Sequence, residues 1–163
     1  MAVATNKTVV RRFMVEVLGH GHVALLPHLV APSYVTHLPL GDQYGPEGAR
    51  LEVADYRTAF PDLAVTLDEL LADGDQVVRR FTLRGTHRRP LWGIPAMGQP
   101  VVLSGIGIDR LAGGRLVESW GQLDLYPLIR SLADPMAPLP GRDPGPTVAA
   151  ATDRSPLGRS PAT

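Results

Sequence analysis

The residues best suited to chemistry alternate along one stretch of the chain: Glu118, Trp120, Gln122 and Asp124. Alternate residues of a β-strand point to the same side, so two carboxylates, an indole and an amide share one face. An aspartate beside a large ring is partly removed from water, which raises its pKa and suits a base that must also return a proton. Asp124 is therefore the predicted acid/base. Trp120 is predicted to stack on a flat ligand, and Gln122 to donate a hydrogen bond to a substrate oxygen.

A hairpin over residues 99–125 is predicted to position this face. The turn falls at residues 112–115, where Gly-Gly supplies the positive φ angles that tight hairpins need. A two-residue turn places Gly107 opposite Trp120 and puts Asp124 on the same side of the sheet. A glycine without a side chain next to a large ring and polar groups indicates the wall of a cavity. A three-residue loop would break this pairing.

The rest of the chain supplies helices first and strands afterwards. Apolar spacing and turn residues predict helices over 7–18, 22–30 and 47–60, and strands over 33–37, 63–71 and 76–87. This order predicts an α+β fold, in which a curved antiparallel sheet is wrapped by the N-terminal helices into a cone-shaped barrel with an internal pocket. The glycine-lined face of the hairpin would line that pocket.

Composition divides the 163 residues into a domain and a tail. Residues 134–163 hold seven Pro, three Gly and no aromatic residue. Such a segment cannot bury enough apolar area to offset the entropy of ordering. We therefore predict a folded domain over residues 5–133 and a disordered Pro-rich tail over 134–163.

Charge and composition disfavour several classes of function. The formal net charge is zero, with 16 basic and 16 acidic residues and no long run of one sign, so nothing indicates nucleic acid or an anionic membrane as a partner. The chain has no Cys, and the spacing of its histidines matches no metal-binding motif. No apolar stretch approaches the roughly 20 residues of a membrane helix, and the N-terminus lacks a signal-peptide core. We expect a cytoplasmic protein.

Five short motifs, in this order, resemble those of the SnoaL-like polyketide cyclases, also called ester cyclases, within the wider nuclear-transport-factor-like cone fold. They are the FPDL turn, the DGD hairpin, the RGTH strand end, the GIP loop with its following Gly, and Glu-x-Trp-x-x-x-Asp on the last strand. The resemblance covers nearly all of residues 5–133.

The resemblance implies an enzyme without metal or cofactor that acts on a hydrophobic small molecule. Such cyclases close a ring of an aromatic polyketide or related secondary metabolite by intramolecular aldol addition. A carboxylate removes a proton, the enolate attacks a nearby ketone, and an acid protonates the new alkoxide.

Individual positions carry the resemblance further. Asp124 matches the family's terminal Asp, His37 in YVTH matches a family position near the pocket, and His87 belongs to the matching RGTH motif. His37 is predicted to orient substrate or carry a proton, and His87 to donate to a substrate carbonyl. Gly121 is the main departure, because many members carry a second Asp directly after the Trp. A scheme that needs that carboxylate fails in this chain.

The remaining candidates would bind substrate or a partner. Arg79, in the middle of a strand, is predicted to bind a carboxylate or enolate, or else to pair with a buried acid such as Asp109. The aromatic side chains predicted to build the pocket walls are Phe13, Tyr34, Phe60 and Trp92. The apolar side chains predicted to form a homodimer surface on the other face of the sheet are Ile106, Ile108, Val117 and Leu123.

Each site assignment has a structural alternative. Asp124 could cap the last helix or form an ion pair, His37 could bond loop backbone, and His87 could face water. Trp120 could be plain core packing, and any one of the aromatic wall residues could be plain core as well.

The fold also leaves the function open to two other classes. An epoxide-opening hydrolase or cyclase would be favoured by a second acidic or amide group within reach of one water. A non-catalytic small-molecule-binding protein would be favoured by an exposed, ion-paired Asp124 and a filled or shallow pocket.

Overall fold

The computed structural model describes residues 2–38 and 40–133, so the predicted tail over 134–163 lies outside the described residues. The helices are α1 (Ala2–Arg12), which continues in π-helical turns over Phe13–Gly19, α2 (Leu26–Leu29), α3 (Gly45–Ala59) and α4 (Tyr126–Ala133). The strands are β1 (Val30–Leu38), β2 (Gly41–Tyr44), β3 (Ala64–Asp73), β4 (Gln76–Thr86), β5 (Pro100–Ala112) and β6 (Arg115–Leu123). Within the described ranges, no helix is long and apolar enough to cross a membrane.

The six strands form one sheet in the order β2-β1-β6-β5-β4-β3. The main hydrophobic core lies between one face of this sheet, here called the inner face, and the helices α1 and α3. The α+β class is confirmed. The sheet differs from the prediction in two respects: β1 runs parallel to β6, which makes the sheet mixed, and β2 and β3 are separate edges, which leaves it unclosed.

The turn between β5 and β6 is as predicted, but the pairing beyond it is not. Gly113 and Gly114 have φ angles of 56° and 74°, as a two-residue turn requires. Arg110, however, lies opposite Glu118, so Val117 is an extra residue in β6 and forms a β-bulge. One extra residue reverses the side to which every later side chain of the strand points.

The bulge exchanges the two faces of β6. Gly107 lies opposite Gly121, and Ile108 lies opposite Trp120. The inner face of β6 therefore carries Ser119, Gly121 and Leu123, while its outer face carries Glu118, Trp120, Gln122 and Asp124. The prediction of which residues point to the inner face is confirmed for β5, where Gly105, Gly107 and Asp109 are buried. It is wrong for β6.

Candidate active site

The inner face of the sheet and the helices border a narrow pocket of about 530 Å³, a volume that includes the solvent at its open mouth. The space inside it that admits the centre of a water molecule is about 30 Å³. Its apolar wall includes Phe13 and Met14 after α1, Tyr56 of α3, Phe81 of β4, and Trp92 in the loop that follows β4. Its polar side chains include Thr36 of β1, Glu52 of α3 and Arg79 of β4. An apolar pocket with few polar groups is the usual form of a small-molecule site.

Glu52 brings a carboxyl group into this cavity. It shares a face of α3 with the buried residues Ala49, Val53 and Tyr56, which follow the i, i+3, i+4, i+7 spacing of a helix. Its Oε2 is buried and has no hydrogen-bond partner among the described residues. Burial raises the pKa of Glu52 to about 7, although the positive charge of Arg79 opposes the shift. At neutral pH this carboxyl group can therefore both take up and release a proton.

Hydroxyl groups on β1 and β6 connect Glu52 to a second carboxylate. The Thr36 hydroxyl hydrogen-bonds the Glu52 carboxyl group, and Tyr34 is hydrogen-bonded to both Thr36 and Ser119. Ser119 in turn donates to Oδ1 of Asp109 over 2.6 Å. Burial raises the pKa of Tyr34, so its phenol stays protonated. This network holds one side of each carboxyl group in place.

Arg79 and Asp109 form a buried ion pair at the inner face. Their side chains are 7% and 1% exposed. Nε of Arg79 has no hydrogen-bond acceptor within the described part of the chain, so the guanidinium keeps donor capacity beyond the ion pair. The predicted alternative for Arg79, pairing with Asp109, is confirmed.

Trp92 lies at the tip of a turn in which Leu91 and Ile94 are paired. Its φ of 49° is a conformation that L-residues seldom adopt, and the following Gly93 has a φ of 82°. The turn places the indole edge-on against Tyr56, with 5.3 Å between ring centroids, and Trp92 borders the cavity as predicted.

Asp124 does not lie on the glycine-lined face. It is exposed beyond the end of β6, and its Oδ1 accepts a hydrogen bond from the backbone N–H of Tyr126 over 3.1 Å. The carboxylate thus caps the start of α4, as in the structural alternative. The prediction of a catalytic role for Asp124 depended on its lying on the glycine-lined face. That placement is wrong, because the bulge at Val117 reverses the side to which the later residues of β6 point.

Trp120 and His37 meet on the outer face. Their rings stack with 5.2 Å between centroids, and His37 bonds Asp42 Oδ1 over 2.9 Å and Glu118 Oε1 over 3.1 Å. Trp120 is 39% exposed, so its predicted place in the pocket wall is wrong. Gln122 also points outward by its parity, but at the end of β6 it borders the mouth of the cavity.

His87 and Phe60 are buried behind the cavity wall. Their rings stack with 5.2 Å between centroids, and His87 is fully buried, so the alternative in which it faces water is wrong. Burial lowers its pKa, which favours the neutral ring. Phe60 and Tyr34 are core residues that support the site, whereas Phe13 contacts the cavity directly.

Comparison with known proteins agrees with this architecture. The family model described as SnoaL-like polyketide cyclase matches residues 8–132. The chain belongs to this family. None of the curated proteins matches it.

Three solved structures share the fold over most of the chain. TsrD from Streptomyces laurentii is 30% identical, with a TM-score of 0.71 over 79% of this chain and 95% of that one. IdmH from Streptomyces antibioticus, a proposed polyketide cyclase, is 28% identical, with a TM-score of 0.67 over 78% and 98%. A SnoaL-like protein from Jannaschia sp. CCS1 has a TM-score of 0.73 over 81% and 94% at 24% identity, which supports the fold alone.

Sequence reasoning misses two polar residues of this SnoaL-like cavity, Glu52 and Thr36. The sequence could have predicted the burial of Glu52, because this residue falls three positions after Ala49 and four before Tyr56 on the apolar face of α3. A carboxylate at such a position must be buried or paired. Thr36 had no comparable signal, because a threonine in a strand is ordinary.

Proposed function

We propose that this SnoaL-like protein is a cofactor-independent cyclase that closes a ring of an aromatic polyketide or related secondary metabolite by intramolecular aldol addition. Glu52 takes the acid/base role that the sequence suggested for Asp124. The observation that carries this assignment is the buried Oε2 of Glu52, which lacks a protein partner among the described residues and borders an apolar cavity.

The residues around Glu52 suit both proton transfers of an aldol closure. The ionised carboxylate removes a proton from a carbon between electron-withdrawing groups, and the resulting carboxylic acid then protonates the alkoxide formed when the enolate attacks the ketone. A pKa near 7 makes both forms available at neutral pH. The apolar walls of Phe13, Tyr56 and Trp92 hold the flat substrate and limit the access of water.

Two isosteric variants separate Glu52 from Asp124. With an aromatic polyketide that the wild-type protein cyclises, Glu52→Gln should lower kcat by about 100-fold or more, the usual contribution of a general acid/base. Asp124→Asn, the matched control at the exposed cap, should retain nearly full kcat. The opposite pattern would return the catalytic role to Asp124, and two fully active variants would rule out both assignments.

Opening of an epoxide by water is a second candidate, and a specific observation favours it. Glu52, which lines the cavity, and Asp109, which is buried, are two carboxyl groups near the same cation, Arg79. One carboxylate could activate water while a neighbouring acid protonates the epoxide oxygen. Incubation of an aryl epoxide in ¹⁸O-labelled water distinguishes this reaction, because hydrolysis gives a labelled diol and cyclisation incorporates no label.

A non-catalytic binding role is supported less well. Asp124 is exposed and the pocket is narrow, which agree with that alternative, but the partner of Asp124 is the backbone N–H of Tyr126 and not a cation. The cavity also contains an acid whose pKa lies near neutrality, which a passive hydrophobic shelter does not require.

We also propose that two copies associate through the outer face of the sheet. The apolar side chains exposed there are Val102, Ile106, Ile108 and Trp120. Arg80 and Asp124 border the same surface, so both signs of charge are available to a symmetric contact. Leu123, predicted to belong to this surface, borders both the cavity and the groove next to Arg80 and Asp124.

A further inference from the structure

Arg79, Gly107 and Gly121 form one row across three neighbouring strands. Arg79 of β4 lies opposite Gly107 of β5, which lies opposite Gly121 of β6. All three positions face the inner side of the sheet. The row thus begins with the long, positively charged side chain of Arg79 and continues over two glycines.

Gly107 leaves room for the guanidinium of Arg79. A Cβ atom at this position would lie 2.8 Å from Cζ and 2.9 Å from Nη2 of Arg79, distances that real Cβ atoms do not show. The Arg79 side chain therefore reaches from β4 over the backbone of β5. Because adjacent strands are about 4.8 Å apart, this brings the guanidinium next to the space above β6.

Gly121 leaves that space open. A Cβ atom built there meets no described atom within 4 Å, in contrast to the crowded Gly105 and Gly107. Gly121 also borders the cavity, so the open space belongs to it. Next to this space lies a buried cation whose Nε has no acceptor among the described residues.

We propose that Gly121 and Arg79 form a carbonyl subsite, in which a ketone oxygen of a flat aromatic substrate lies over Gly121 and accepts a hydrogen bond from the Arg79 guanidinium. The inference rests on the proposed cyclase function and specifies the substrate as a planar aryl ketone bound with one oxygen towards β6. A neutral carbonyl suits the site better than a carboxylate, because Asp109 already neutralises Arg79 and Glu52 adds further negative charge. The same contact would stabilise an enolate oxygen as negative charge develops on it.

The subsite is tested with a ketone and its hydrocarbon counterpart, α-tetralone and tetralin, titrated into the wild-type protein and followed by calorimetry. The ketone should bind about tenfold more tightly, since a hydrogen bond to a charged donor gives a difference of this order. Gly121→Ala should reduce the preference to about twofold or less while the melting temperature stays unchanged, because the added methyl group meets no described atom.

Glu52→Gln separates this inference from the proposed reaction. It should remove turnover but keep the preference for the ketone, because Arg79 and Gly121 are intact. Equal binding of the two probes to the wild-type protein, binding of neither, or a preference that persists in Gly121→Ala would each overturn the subsite. Loss of the cyclase assignment alone would appear instead as full turnover in Glu52→Gln with the ketone preference unchanged.

Discussion

Arg79 of β4 and Asp109 of β5 lie on neighbouring strands, two residues out of register, and form an ion pair that is almost fully withdrawn from water. Burial lowers the pKa of Arg79, but the charge and hydrogen bond of Asp109, together with the nearby Tyr34 and Glu52, outweigh it and raise that pKa. Ser119 supplies a hydrogen bond to the same carboxylate. The guanidinium can thus remain charged inside the domain, where it can act on a bound substrate.

The first prediction concerns the stability of this pair. Asp109→Asn should lower the free energy of unfolding by about 3–5 kcal/mol, because the variant leaves the Arg79 charge buried without its counterion. Urea denaturation at pH 7 measures the change. Glu47→Gln, which removes one partner of the exposed Glu47–Arg50 pair, is the control and should leave the urea midpoint unchanged. Equal small effects of the two variants would show that the Arg79 charge does not depend on Asp109.

The second prediction concerns the pH dependence of turnover. If ionised Glu52 is the base, kcat/KM should rise with pH and level off above about 7, the pKa of this carboxyl group in the free protein. A Thr36→Val variant loses a hydrogen bond that favours the ionised carboxylate, so the midpoint should move to higher pH. A rate profile without an inflection between pH 6 and about 8 would contradict the role of Glu52.

The third prediction concerns stability and pH. Because folding raises the pKa of Glu52 from its ordinary 4.5 to about 7, the folded state binds more protons than the unfolded chain between these values. The free energy of unfolding should therefore fall as pH rises from about 4.5 through about 7, by roughly 3 kcal/mol at most.

Glu52→Gln isolates this contribution from other titrating groups. The free energy of unfolding of both proteins is measured by urea denaturation at several pH values. As pH rises towards 8, the wild-type protein should lose stability relative to the variant. A difference that stays constant across the range would mean that Glu52 is ionised and solvated in the folded protein.

The sequence predicts the fold well because its signals are local and agree with one another. The Asp-Gly and Gly-Gly turns and the alternation in β4 and β5 all specify the same hairpins, and the structure contains them. The pairing of β6 depends instead on Val117, an ordinary β-branched residue that no local pattern marks as a bulge. One such residue reverses a whole strand face, and Trp120, Gln122 and Asp124 are assigned to the wrong side for this reason.

The composition of the site was harder to predict because it depends on which helix face packs on the sheet. Leu51 has a more apolar side chain than Glu52, yet Leu51 is exposed and Glu52 lines the cavity. Only the combined spacing of Ala49, Val53 and Tyr56 identifies the buried face. Arg79 is identifiable from the sequence because a cation in the middle of an alternating apolar strand face needs a partner.

The last prediction concerns the outer face. Ile106 is 54% exposed near the centre of the apolar surface, so Ile106→Arg should place a charge in each half of a symmetric dimer and separate the two copies. Sedimentation equilibrium at micromolar concentration should show a wild-type dimer and an Ile106→Arg monomer. Leu51→Arg, which adds the same charge at an exposed apolar residue of α3, should remain dimeric. A wild-type monomer, or dissociation by both variants alike, would show that the outer face of the sheet does not join two copies.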